Sequence, residues 1–193
     1  MVVITRGEAM KMLREHNSEV AHIRHALAVE ATMRHFAGLH GEDVDKWGLA
    51  GLVHDIDWET TNDDPSRHTH VGAGWLKEAG YPDDIVRAVL AHGWGICSDV
   101  EPVSAMEKHL FAVDELTGFV TAVALVRPGK SLQDLTVKSV KKKWKDKAFA
   151  RGVDRDVIEK GTSILDTPLE DLIENVIEAL KPVEREIGLG EGD

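Results

Sequence analysis

Six residues in the first 114 carry the chemistry of this sequence: His25, the adjacent pair His54-Asp55, His68, His92 and Asp114. Imidazole nitrogens and carboxylate oxygens together form the mixed donor set that accepts Fe, Mn, Co, Ni or Zn, with geometry and availability deciding. A buried carboxylate must be paired or coordinate a cation, and a buried imidazole needs partners for both ring nitrogens. Four imidazoles and two carboxylates converging in a core would satisfy one another through one or two divalent ions. Consecutive helical side chains diverge by roughly 100°. At a helix end, however, both members of the His54-Asp55 pair can turn towards one ion, and in a binuclear site the Asp can bridge. From spacing alone, a scatter of core and surface histidines is an equal alternative. There is no HExxH, no CxxC pair and no glycine-rich phosphate loop, which excludes zincin, zinc-finger and P-loop chemistry.

The elements that must position these residues read as helix after helix. A short helix is expected over 6–15. Ser18 is expected to cap a second, running to about Ala37 and stopped by Gly38. That helix has one stripe of Val20, Ile23, Leu27 and Ala31 and another of Val29, Met33 and Phe36, so it should be central, with His25 facing inward. Residues 43–55 form the next helix and end on the pair. A polar loop over 57–66 leads to a helix over 67–79, with His68, Val71, Gly72, Trp75 and Ala79 inward. Another helix runs from Tyr81-Pro82-Asp83 to His92, broken by Gly93. A long helix over 102–126 carries Met106, Leu110, Val113 and Thr117 beside Asp114, and Pro128 ends it. Ser131 is expected to start a helix through the lysine run 138–147, and Asp154 to cap a short one. Thr167-Pro168-Leu169-Glu170 reads as a capping box for a last amphipathic helix. The fold class expected is all-α, a single-domain helical bundle over 1–193.

With 193 residues and 42% hydrophobic residues, the chain can bury one sizeable core. A net charge of −11 argues against general nucleic-acid binding, yet leaves room for a phosphorylated substrate, because a bound cation reverses the local field. Cys97 is the one cysteine, so no intrachain disulfide forms. The start is too polar for a signal peptide and no 18-residue apolar run exists. The expected location is the cytoplasm, with no membrane partner. Of the ten histidines, His16, His35, His40 and His109 read as solvated surface residues.

In order, these segments resemble the HD-domain superfamily of metal-dependent phosphohydrolases over roughly residues 20–120, and most closely its subgroup with a His-Asp-Ile-Gly signature. His25-Ala-Leu-Ala-Val-Glu-Ala resembles the first motif, LAGLVHDID (49–57) the namesake pair, and HTHVGAGWLKEAG (68–80) a His-Pro-x-x-Gly-Ala segment. IVRAVLAHGWG (85–95) and FAVDELTGFV (111–120) resemble the last two. The sequence departs from the pattern at Asp57, where Gly is usual, at Thr69, where Pro is usual, and at Gly93, where some members have a second His. The resemblance implies the all-α HD bundle. It also implies that His25, His54, Asp55 and Asp114 hold a first metal, and that His68 and His92 complete a second site with Asp55 bridging.

The reaction so implied is hydrolysis of a phosphomonoester or phosphodiester, in a nucleotide or another small phosphorylated metabolite, by metal-activated water. Asp55 would orient or bridge the nucleophile. Asp57 is a candidate to orient water or act as base, with a solvated loop acid as the equal alternative. Glu59 reads as a surface residue. His22 reads as a packing residue or, less expected, one that holds a phosphate or orients a ligand. In the lysine run, Val137, Val140 and Trp144 face inward and the lysines form a solvated face. The same ligand order also resembles that of di-iron oxygenases such as myo-inositol oxygenase. A non-catalytic nucleotide-binding module is a third reading.

Overall fold

The structure is a computed structural model and describes residues 4–190; the six terminal residues of the expected 1–193 domain lie outside it. Thr5 and Glu8 close a capping box at the start of α1 (Arg6–His16). In α2 (Val20–His40), Val29, Met33 and Phe36 are buried as expected, whereas Val20 is exposed. The helix runs past Gly38 and stops at Gly41, whose φ of 67° is the left-handed terminator. Ser18 does not cap it; a carboxylate from elsewhere in the chain does.

Asp43 caps α3 (Val44–Val53), whose C-cap is His54. α2 and α3 touch backbone to backbone at Gly51, where a Cβ would lie 2.8 Å from the Val29 carbonyl oxygen. That approach brings the end of α3 beneath His25. The expected loop after the pair instead holds a helical turn, α4 (Trp58–Thr61), and a 3-10 turn at Pro65–Arg67. His68 and Thr69 therefore precede α5 (His70–Glu78) rather than lying on it. On α5, Gly72, Ala73 and Leu76 are buried, while Ala79 lies outside and is exposed.

α6 (Asp83–His92) ends on its buried histidine. α7 (Ala105–Leu125) starts from a Ser104–Glu107 capping box and buries Met106, Leu110, Val113 and Thr117. It packs against α2, α6, α9 and α10. The helix expected from Ser131 begins only at α8 (Val137–Trp144), capped by Thr136, because the Ser131 hydroxyl is used by a turn and by Glu184. Asp154 caps α9 (Arg155–Leu165). Pro168 occupies the N-cap of α10 (Leu169–Leu180) and no side chain caps it, so the expected box is not formed. Leu172, Ile173, Val176, Ile177 and Leu180 are buried on α10, and one hydrophobic cluster runs from Ala9 to Leu189. Helices dominate, with no strand among the described residues, so the fold is all-α. None of the described helices is long and apolar enough to cross a membrane.

Candidate metal centre

The six expected ligands come from five places in the chain, His54 and Asp55 sharing the end of α3, and the fold brings all six together. His25 Nε2 lies 2.8 Å from Asp114 Oδ1, and His54 Nε2 lies 3.2 Å from the same oxygen. On the other side, His68 Nε2 and His92 Nε2 are each 3.3 Å from Asp55 Oδ1. Asp55 Oδ2 turns back to the first group, 3.4 Å from His54 Nε2 and 3.9 Å from His25 Nε2. The donors thus fall into two triads, His25–His54–Asp114 and Asp55–His68–His92, each with its atoms within 4.8 Å of one another. Donors about 2.1 Å from an ion stand roughly 3–4 Å apart, so either triad could hold one.

The hydrogen bonds behind the triads fix the rings. His54 is fully buried and donates Nδ1–H to the Gly51 carbonyl at 2.8 Å; His92 does the same to the Val89 carbonyl at 2.6 Å. Both arise from helix ends, where carbonyls lack helical partners. Each Nε2 is then left aimed inward, buried and without a hydrogen-bond partner among the described residues. An orphaned imidazole nitrogen of this kind suits a divalent cation.

Asp57 belongs to this support. It is fully buried, its Oδ1 accepts from His68 Nδ1 at 2.8 Å, and its Oδ2 accepts the Gly72 amide at 2.7 Å. It therefore orients His68 and satisfies an otherwise unpartnered N–H in the first turn of α5. Full burial rules out the solvated loop acid that the sequence also allowed. Both its oxygens are occupied, and it does not line the cavity. Its backbone, at φ −97° and ψ 1°, has no need of glycine. Thr69 sits at φ 67°, which the proline usual in that segment cannot adopt.

The electrostatics follow from this packing. Burial would lower His54, but Asp55 and Asp114 outweigh it and hold the imidazole well above its usual range. Burial likewise opposes His68, which Asp55 and Asp57 push up to about 9. Against their own desolvation, Asp55 and Asp114 are held well below the carboxylate range, chiefly by His54. The anionic oxygens collect positive charge, here as protons on imidazoles and equally well as metal ions.

Five of the six expected ligands, all but the fully buried His54, line one wall of a cavity of about 350 Å³. Trp58, Ile96, Phe111 and Val157 give it apolar walls, with Cys97 beside His92. Glu115 lines it too, with its carboxyl pushed up to about 8 by burial and by neighbouring Asp114.

Three polar residues read from the sequence as surface or packing groups have other places. Glu59, on α4, accepts the Ser18 and Glu19 amides at 3.0 and 2.8 Å and so caps α2 from outside. It also accepts the Ser18 hydroxyl at 3.0 Å and His22 Nδ1 at 3.1 Å. His22 lines the cavity. His109 is buried against Phe36 and Trp47, donating Nδ1–H to the Ala105 carbonyl at 2.8 Å. His40 is exposed, as expected, but its Nε2 meets His109 Nε2 at 3.1 Å. His16 stacks on Trp75, and His35 bonds Asn175.

The family model described as "HD domain" matches residues 22–97. Among curated proteins, the chain is 32% identical over 120 residues to a protein named Ribonuclease Y from Fervidobacterium nodosum, covering 62% of this chain and 19% of that protein. It is 28% identical over 179 residues to the Ribonuclease Y of Desulfotalea psychrophila, covering 86% of this chain and 30% of that one. A third, from Oleidesulfovibrio alaskensis, is 33% identical over 104 residues, 54% of this chain and 18% of the relative. The chain thus spans less than a third of the length of these relatives. No solved structure matches it.

Proposed function

Through residues 22–97 the chain belongs to the HD-domain superfamily, and on that footing we propose that it is a metal-dependent phosphohydrolase. The observation that carries this reading is the division of Asp55, one oxygen towards each triad, with two orphaned Nε2 atoms facing inward. His25, His54 and Asp114 would hold one divalent ion, His68 and His92 the other, and Asp55 would bridge. Bound ions would lower the pKa of a water and neutralise phosphate oxygens. The chain's own residues supply the rest. His54 and His92 are locked in the ligand tautomer by backbone carbonyls, and His68 is locked by Asp57. Trp58, Ile96 and Phe111 give an apolar surface for the organic part of the ester. The cavity volume suits a small phosphorylated metabolite or a single nucleotide unit.

A second reading differs only in substrate. The relatives are named as ribonucleases, which favours a phosphodiester of RNA over a free metabolite. Assaying p-nitrophenyl phosphate, its bis-ester, a nucleotide panel and a short oligoribonucleotide with Mn²⁺, Co²⁺, Ni²⁺ or Fe²⁺ separates the two. Asp55→Ala should abolish turnover of whichever is cleaved. Wild-type activity in that variant would sink the mechanism, and oxygen uptake with cyclitols in place of phosphate release would point to an oxygenase.

A further inference from the structure

Among the described residues no lysine or arginine lines the cavity, and His22 is the one imidazole on its wall outside the two triads. His22 stands three residues before His25 on α2, close to one helical turn away on a similar face. Its Nδ1 is 3.1 Å from Glu59 Oε1. Glu59 is firmly placed, since its two oxygens also take the Ser18 and Glu19 amides and the Ser18 hydroxyl. Although desolvation raises its pKa, those amides and His22 bring the carboxyl down to about 2. An ionised carboxylate only accepts, so the proton of that bond is on His22 Nδ1. The other ring nitrogen, Nε2, has no partner among the described residues and belongs to a ring on the cavity wall. A carboxylate behind one imidazole nitrogen fixes the ring's orientation and leaves the opposite nitrogen to exchange a proton with substrate.

We propose that His22 is the proton donor to the leaving group and that Glu59 positions it, an inference that rests on the phosphohydrolase reading above. A water oxygen forms the new bond to phosphorus. The bond from phosphorus to the leaving oxygen breaks, and its electron pair stays on that oxygen. Nε2–H of His22 supplies the proton that makes it an alcohol. The water keeps one proton on the phosphate product and releases the other to solvent, from which His22 regains its own. Glu115 is the rival donor in the cavity, with its Oε2 3.2 Å from the Asp154 amide.

The test compares leaving groups. A p-nitrophenolate leaves without a proton, whereas an alkoxide needs one. In metal-loaded full-length protein, His22→Gln should cut kcat on an alkyl ester such as a nucleoside 5′-monophosphate by about 10²–10⁴-fold. The p-nitrophenyl ester should lose less than about tenfold. Glu59→Gln, which keeps a carbonyl acceptor for the α2 amides, should show the same selectivity in smaller measure. Metal content and unfolding temperature report whether either variant is merely misfolded, and His22→Asn gives a second donor deletion. An equal fall on both esters, or selectivity appearing in Glu115→Gln in place of His22→Gln, overturns the inference alone. A wild type that cleaves neither ester, nor the bis-ester or the oligoribonucleotide, overturns the proposed function along with it.

Discussion

Asp57 Oδ1 lies 2.8 Å from His68 Nδ1, with the carboxylate fully buried between the imidazole and the first turn of α5. Its link to the cavity in the structure runs through the ring it holds. Removing such a partner typically costs 10–100-fold in metal affinity. Asp57→Ala should therefore weaken binding of one of two ions by that order and leave the other within a few-fold, as read by competitive metal titration. Equal weakening of both would place Asp57 elsewhere in the account.

Thr69 holds φ 67° between His68 and α5, and its buried hydroxyl has no hydrogen-bond partner among the described residues. A β-branched residue there stores about 1–3 kcal/mol. Thr69→Gly should raise stability by about 1 kcal/mol after glycine's entropy cost is subtracted. Thr69→Pro should lower it by more than about 1 kcal/mol, because proline is fixed near the opposite sign of φ. Denaturant midpoints check both, and a Thr69→Gly protein less stable than wild type would contradict the strain.

His109 is buried among Phe36, Trp47 and His40, and burial pushes its pKa down to about 4. The unfolded chain binds a proton at His109 below about pH 6.5 and the folded chain only near 4, so the folded state loses ground as pH falls between them. The slope there should be on the order of 1 kcal/mol per pH unit. Metal-free protein, unfolded in urea at several pH values, should show it, and His109→Leu should flatten it. An unchanged slope in that variant would assign the effect to other groups.

Five of the six candidate ligands were legible because they sit at a period or end that local pattern reveals, whereas His68, expected on a helix over 67–79, precedes α5. Met106, Leu110 and Val113 fix one face of α7 and so the bearing of Asp114, while Asp43 and the apolar run of α3 place His54 at its end. What was not legible depends on partners distant in sequence. Glu59 sits 41 positions from Ser18, and no local rule couples a carboxylate on one short helix to the start of another. Asp57 was visible as a departure from glycine, but its use needed α5 to fold back over it. His109 was misread because its apolar surroundings come from α2 and α3, not from its own helix.

Two ions bridged by Asp55 are the core of the account. The most direct measurement is metal content per chain after saturation with Mn²⁺ and removal of free ion, by elemental analysis. Wild type should hold two equivalents and His92→Ala one. One equivalent or fewer in saturated wild type would contradict the binuclear centre.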